Sequence, residues 1–315
     1  MNEPPFPLNG VIGIVANRRD EIRKAAQLDL QCVEMRPDLL LDRGFSLDEI
    51  LSMVREIADT GMHCLFTLRR HDHGGKFTGT DQEQMKICRQ ALSSGAHIID
   101  IEWDSECAQE LISSGVKTIL SYHDFKGMPS TADLALVTER ITYFRPAAIK
   151  LIPTANSLDD SIRILQWVAE SRGGPLRIGF AMGKMGEYSR ILSRTFGSPI
   201  TYAGFDAPIA PGQITVEKLL NDYHTQVLHH ETRVVGVSGK GDEVDKWIRR
   251  INRSRRAQNS RLIAVPIQLQ EANSQKLTSD EIALLQVNAA FLRMDYLVSP
   301  YSSPRLIRFS TKHES

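Results

Sequence analysis

The feature that most constrains this chain of 315 residues is a repeated alternation of two patterns. Eight short, apolar, β-branched runs follow one another with helix-like stretches between several of them. The runs are VIGIVA from Val11, QCVEMR from Gln31, CLFTLR from Cys64, IIDIEW from Ile98, KTILSYH from Lys117, AAIKLIP from Ala147, RIGFAM from Arg177 and ITYAG from Ile200. Most are near-continuous rather than strictly alternating, as parallel strands covered on both faces should be. Between them, SLDEILSMVREIADTG opens on Ser46, a natural N-cap, and closes on Gly61, a natural C′ residue. DQEQMKICRQALSSG and LDDSIRILQWVAESRGG have the same form: acidic start, apolar periodicity, terminal glycine. Eight such units in ~220 residues predict an α/β chain folded as a (β/α)8 TIM barrel. An open doubly wound sheet is the alternative, but no GxGxxG follows the first strand, so a dinucleotide site there is unsupported.

A helix, TVEKLLNDYHTQVL, closes this region near His229. A second pattern then begins: strand ETRVVGVSGKG, basic helix DEVDKWIRRINRSRRAQNS, strand RLIAVPIQL, helix LTSDEIALLQVNAAFLR capped by Thr278 or Ser279, and strand MDYLVSPYSSP. The expected division is 1–230 for the barrel and 231–315 for a small α/β domain. Lys246, Arg249, Arg250, Arg253, Arg255 and Arg256 make the first of these helices basic. It reads either as a face for an acidic partner or as an ordinary solvated helix.

Composition removes several classes of function. Lys plus Arg and Asp plus Glu are both 38, so the formal charge is zero, which argues against a general nucleic-acid or anionic-membrane binder. No apolar run approaches the ~20 residues of a membrane span. MNEPPFPLNG has neither the basic nor the apolar region of a signal peptide. Cys32, Cys64, Cys88 and Cys107 are widely spaced, which fits buried thiols in a reducing cytoplasm better than a metal site.

In a barrel the chemistry belongs at the carboxyl ends of the strands. Glu34 and Arg36 stand two apart at the end of the second run and share a face. Arg69 ends the third run, His123 the fifth and Met182 the seventh, with Arg190 in the GKMGEYSR that follows. Lys150 lies inside AAIKLIP, where a charged amine is costly to bury, so it reads as a nucleophile. The plainer reading is a lysine that snorkels to a rim or pairs with a carboxylate. A histidine and a lysine on adjacent strand ends suggest Schiff-base chemistry with an acid–base partner. The arginines suggest an anionic substrate, held as a carboxylate.

At these residues the chain resembles type I 3-dehydroquinate dehydratase over residues ~10–220. VEMRPD, FTLR, GGKFTGT, SYHDF, the IK of AAIKLIP, MGKMGEYSR and APGQI at Ala210–Ile214 occur in the family's order. The resemblance implies that Lys150 forms an imine with the ring ketone of 3-dehydroquinate. It implies that His123 removes a C2 proton and later protonates the leaving C1 hydroxyl. Glu34 and Arg36 would order the site, Arg69 would bind substrate, and Arg190 would clamp its carboxylate. Gln213 would bind a hydroxyl from a closing loop, with Met182 and Tyr202 as walls. No metal or organic cofactor is implied; the partner is the small-molecule substrate, with no nucleic acid and no membrane. Family members are often dimers, so a homodimer is an implied assembly.

Two positions depart from the family pattern: His73 stands where many members have Glu, and Ile209 where many have Ser. Residues ~231–310 resemble, more weakly, the substrate-binding domain of shikimate dehydrogenase, in RVVGVSGKG and YLVSPYS. There the Ser-x-Ser expected after the first strand is missing, Ser302 replaces the catalytic lysine, and the chain ends at Ser315 before any nucleotide-binding domain. No dehydrogenase activity is therefore expected. The competing readings are another class I Schiff-base aldolase and a non-catalytic barrel scaffold.

Overall fold

The computed structural model describes residues 8–171, 173–206, 212–239, 241–258, 260–268, 277–300 and 305–309. Eight strands form one parallel sheet: β1 (Gly10–Val15), β2 (Cys32–Met35), β3 (His63–Phe66), β4 (Ile98–Glu102), β5 (Thr118–Asp124), β6 (Ala148–Pro153), β7 (Leu176–Gly179) and β8 (Ile200–Ala203). Their order is β7-β6-β5-β4-β3-β2-β1-β8, each paired with its sequence neighbour and β1 pairing back to β8. Among the described residues no ladder joins β7 to β8, so the barrel is nearly rather than fully closed by backbone hydrogen bonds.

The helices form where their caps and apolar stripes place them. Leu47–Asp59 starts with a capping box between Ser46 and Glu49, and Gly61 takes φ +80° after its end. Asp81–Ser93 and Leu158–Ala169 have the same box, from Thr80 with Glu83 and Ser157 with Asp160. Each helix buries its stripe against the outer face of the barrel, as Ile50, Met53, Val54 and Ile57 do.

The strands thus separate two apolar cores. One lies between sheet and helices. The other fills the barrel with Ile12, Leu65, Ile98, Ile119, Ile178 and Ile200, all fully buried. Each such side chain contributes roughly 1.5–3 kcal/mol of transfer free energy. The period of two along a strand then carries the interior face upward from these residues. It runs from Ile98 to Asp100 and Glu102, from Ile119 to Ser121 and His123, and from Ala148 to Lys150 and Ile152. The barrel interior is therefore apolar at the strand starts and ionisable at the strand ends.

The helix expected to run to His229 is shorter. It passes into a π-helical turn at Lys218–Asp222, and His224, at φ +50°, turns the chain out of helical geometry. A second sheet follows, of β9 (Arg233–Ser238), β10 (Leu262–Ile267), β11 (Met294–Ser299) and β12 (Arg305–Arg308), in the order β10-β9-β11-β12. The first three are parallel; β12 is antiparallel to β11 and was not expected from the sequence. Helices Asp242–Ala257 and Ser279–Leu292 connect them.

This second unit packs on the barrel's side. Phe291 stacks on Phe196 with ring centroids 4.7 Å apart, Lys218 pairs with Asp245 at 2.9 Å, and Asn252 Nδ2 donates to the carbonyl of Asp222 at 2.9 Å. No helix among the described residues is long and apolar enough to cross a membrane.

Candidate active site

A cavity of 140 Å³ opens at the carboxyl ends of the barrel strands. Glu34, Arg36, Arg69, His123, Lys150, Met182, Arg190, Tyr202 and Gln213, the nine residues singled out from the sequence, all line it. A larger hollow of 860 Å³ lies outside the barrel, on the helices Leu47–Asp59, Asp81–Ser93 and Cys107–Ser113. Arg89 and Glu110, which pair across it, are exposed, and no strand-end residue reaches it. The chemistry belongs to the smaller cavity.

Lys150 is buried on β6, and its Nζ donates to Asp100 Oδ2 at 2.9 Å. Glu34 Oε1 is 3.7 Å away, and the Tyr202 ring centroid 4.1 Å away. Burial of the lysine is thus compensated by carboxylates, the plainer of the two expectations, while its amine still faces the cavity. The Tyr202 hydroxyl has no partner among the described residues. Burial, and then the carboxylates of Glu34 and Asp100, push that phenol well above its ordinary range, so it stays neutral.

Arg69 sits three residues beyond β3 rather than on it. Its Nη2 donates to Asp100 Oδ1 at 2.6 Å, and its Nη1 to Glu102 Oε1 at 2.9 Å and Ser121 Oγ at 2.7 Å. It reaches the cavity wall, yet these two nitrogens already serve internal acceptors. Burial alone would raise the Asp100 carboxyl, but Arg69 and Lys150 hold it well below the usual carboxylate range. Arg36, just past β2, makes a fork with Asp38: Nε to Oδ1 and Nη2 to Oδ2, both at 2.9 Å. The second oxygen of Asp38 also accepts from the backbone N–H of Lys76 at 3.1 Å, tying the loop after β3 to β2.

Arg190 differs from these two. It is buried, and its Nε has no partner among the described residues. Its guanidinium lies 4.5 Å from the Phe180 ring centroid. Burial pulls its pKa down to about 10, only partly offset by Glu187 one turn earlier. A buried guanidinium that faces a cavity and has no carboxylate paired to it among the described residues is suited to receive an anion. Arg190→Gln is expected to raise KM with little change in kcat. The lost charge-assisted bond, worth about 1.5–3 kcal/mol, corresponds to a fall of about 10- to 10²-fold in kcat/KM. Steady-state kinetics check this; an unchanged KM removes Arg190 from the substrate.

His123 lies at the end of β5, its ring stacked against Phe125 with centroids 6.2 Å apart. Its Nδ1 has no partner among the described residues. Burial, and then the charges of Arg69 and Lys150, lower its pKa well below 6.5. The imidazole is therefore neutral, and able to accept a proton, across the physiological range. A depressed folded pKa means that the unfolded chain takes up the proton first. The residue's contribution to stability is complete above pH 6.5 and is lost as pH falls below it. For turnover, the acid limb of kcat/KM should fall below pH 6.5, and His123→Ala should lower kcat by about 10²–10⁴-fold. A pH–rate profile with its acid midpoint at or above 6.5 contradicts the assignment.

The loops that finish the site depend on close backbone approaches. A β-carbon on Gly75 would collide with the carbonyl of Arg69, and one on Gly212, which is at φ +71°, with the carbonyl of Gly183. Gly212 sets the turn that brings Gln213 to the cavity. His73 also lines the cavity, with Nε2 3.3 Å from Asp104 Oδ2. Ile209, Ala210 and Pro211 lie outside the described residues, so Ile209 and half of the APGQ motif have no structural account.

Sequence reasoning missed Asp38, Asp100, Glu102 and Phe125. The signal for the first three was present: IIDIEW carries two carboxylates at the same spacing as Glu34 and Arg36, and Asp38 stands two beyond Arg36. Phe125 left none, because only the fold lays it over His123 and Gly74.

A parallel barrel with its ionisable cavity at the strand ends is the architecture in which barrel enzymes carry their chemistry. The family model for type I 3-dehydroquinase matches residues 12–229. A 3-dehydroquinate dehydratase of Thermococcus gammatolerans is 31% identical over 214 residues, covering 67% of this chain and 94% of its own. The chloroplastic bifunctional 3-dehydroquinate dehydratase/shikimate dehydrogenase of Arabidopsis thaliana is 31% identical over 229 residues, 70% of this chain but 37% of its own. The chain belongs to the type I 3-dehydroquinate dehydratase family. The dehydroquinate dehydratase and shikimate dehydrogenase structure from S. pombe, 20% identical with a TM-score of 0.58, covers 92% of this chain and 56% of its own. Coverage of that extent reaches beyond the barrel, so the fold likeness includes the second sheet.

Proposed function

We propose that this chain dehydrates 3-dehydroquinate to 3-dehydroshikimate through a Schiff base on Lys150, with His123 as general acid and base. The observation that carries the reading is that Lys150, His123 and the anion-seeking Arg190 share one cavity in a chain of this family.

The amine of Lys150 adds to the ring ketone and water leaves, giving a protonated imine. That cation lies beside Asp100 and Glu34, which stabilise positive charge at this position throughout. Neutral His123 takes the C2 proton, and the electron pair moves into the imine. His123 returns the proton to the C1 hydroxyl as it departs as water. Hydrolysis of the imine then frees product and lysine. Arg190 holds the carboxylate, and Glu34, Arg36, Gln213, Met182 and Tyr202 shape the rest of the cavity. Arg69 acts mainly by fixing Asp100. No step calls for a metal or an organic cofactor, and the only partner the scheme needs is its small substrate.

The reading includes a division at residue 230, supported by the completion of the first sheet at Ala203 and the start of the second at Arg233. It includes the absence of shikimate dehydrogenase activity, supported by the lack of serine in GKGDEVDKW after β9; Ser302 lies outside the described residues. A cytoplasmic site of action is part of it, supported by four buried free cysteines.

The test is the growth of the conjugated enone chromophore on mixing with 3-dehydroquinate. No absorbance change across a pH range would leave the non-catalytic scaffold in front.

A further inference from the structure

A second hollow, of 400 Å³, lies far from the catalytic mouth, between the end of the barrel region and the second sheet. Its place follows from its neighbours. Arg194 Nη1 donates to the carbonyl of Thr225 at 2.8 Å, and its Nη2 to Asn9 Oδ1 at 2.9 Å, just before β1. Thr232 and Arg261 immediately precede β9 and β10. The hollow therefore sits at the strand starts of both sheets, while the catalytic cavity sits at the strand ends of the barrel.

Its lining includes Arg255, Arg256, Arg261, His224, Thr232 and Ser260. Arg255 is the informative residue. It is 7% exposed, yet it has no ion pair and no side-chain hydrogen bond among the described residues. Arg256 is exposed beside it, also without a carboxylate. Arg261 pairs with Glu231 on the rim. Cations in a helix's last turn are favoured by the macrodipole, which accounts for two arginines ending Asp242–Ala257. It does not account for burying one of them unpaired against a hollow, since buried charges are ordinarily paired. His224 is buried too; desolvation, and then Arg256 and Arg255, lower its pKa, so it adds no third charge but offers a neutral ring.

We infer that this hollow is a binding site, separate from the catalytic one, for a small phosphate monoester, whose phosphate is held by Arg255 and Arg256. A phosphate's three terminal oxygens suit a pair of guanidiniums with hydroxyls alongside, here those of Thr232 and Ser260. The volume lies within the range of small-molecule pockets and exceeds what a bare ion fills.

The experiment uses the full chain and inorganic phosphate as the probe, with sodium chloride at matched ionic strength as the reference. Binding is read as a saturable rise in melting temperature and by calorimetry. The measurement is made in the wild type and in Arg190→Gln, which disables the anion receptor of the catalytic cavity. The response is expected to survive Arg190→Gln and to weaken at least about tenfold in Arg256→Gln. Arg256 is exposed, so this variant folds, and its turnover of 3-dehydroquinate should match the wild type. Arg255→Lys should retain part of the response. A shift equalled by chloride, a shift lost in Arg190→Gln, or one undiminished in Arg256→Gln each overturns the site. None of these outcomes bears on dehydratase activity, which is measured separately.

Discussion

Replacing Lys150 with alanine is expected to lower kcat by about 10⁴-fold or more and to abolish covalent trapping. The physical reason is that, in the proposed mechanism, Lys150, the one lysine lining the cavity among the described residues, turns the ketone into an electron sink. The ketone itself withdraws charge poorly from C2. In the proposed mechanism the iminium on Lys150 withdraws it strongly, and Asp100 at 2.9 Å and Glu34 at 3.7 Å favour its protonated, cationic form. The check is borohydride reduction in the presence of 3-dehydroquinate, followed by intact mass. Wild type should gain the mass of one reduced adduct, localised to the peptide containing Lys150. Lys150→Ala should gain none. An adduct that persists in Lys150→Ala would place the nucleophile elsewhere and sink the mechanism. Lys150→Met serves as a control for volume, since it fills the same space without an amine.

The second large effect is on stability. Arg69→Met is expected to destabilise the fold by about 3–5 kcal/mol, because it removes the shared cation from two buried carboxylates. Asp100 and Glu102 are both fully buried, and Arg69 bonds one oxygen of each. Without the guanidinium, Asp100 keeps Lys150 and the Ser121 hydroxyl as partners, whereas Glu102 keeps Gln84 Nε2 and the backbone N–H of Arg70, both at 3.0 Å, and a looser ion pair with Arg70 Nε at 4.0 Å. In a chain of this size that loss corresponds to a fall of roughly 5–8 °C in Tm. Denaturant melts will measure it. Arg69→Met combined with Glu102→Gln should recover much of the loss, because the stranded charge is removed together with its partner. A single variant that melts within ~1 °C of wild type would show that the cluster is held by other contacts. The same variant should also lower kcat, since Arg69 fixes the carboxylate that orients Lys150.

These two predictions rest on different depths of reading. Lys150 stood out in the sequence because a lysine within AAIKLIP breaks an otherwise apolar strand. Its nearest counter-charge, Asp100, did not stand out, although IIDIEW contains it, because a carboxylate in a strand reads equally well as solvent-facing until the neighbouring strands are in place. In the sequence Arg69 and Arg190 read alike: each is a basic residue near a strand end, to which the family resemblance gives a substrate-binding role. The fold separates them. The loop after β3 carries Arg69 inward onto the carboxylates of β4. Arg190 sits on the short helix Glu187–Leu192, against Phe180 and with no ion pair to a carboxylate among the described residues.

The second unit gives the same lesson. Its strand–helix alternation was legible, and so was the capping box of Thr278 with Glu281. The antiparallel β12 was not, because a four-residue edge strand has too little pattern to register. Nor was the contact by which this unit touches the barrel's catalytic side. Gln268 Nε2, just beyond β10, donates to Glu187 Oε2 at 2.7 Å, three residues before Arg190. The basic helix, read from sequence as a uniform charged face, proves uneven. Lys246 pairs with Glu243 and Arg249 with Asp222, whereas Arg255 is buried and unpaired among the described residues.

By itself the sequence determined what local physics controls: eight apolar runs that must be covered on both sides, helices set by their caps, and which strand ends carry ionisable groups. Period-two geometry then requires those groups to enter the barrel together. Tertiary structure alone decided their roles, because a role depends on which charges meet. Lys150 and Arg69 became a compensated buried cluster with Asp100 and Glu102, while Arg190 and Arg255 remained buried without a paired carboxylate among the described residues. Burial makes every unpaired charge costly, so the partners a fold supplies or withholds separate a structural arginine from a receptor.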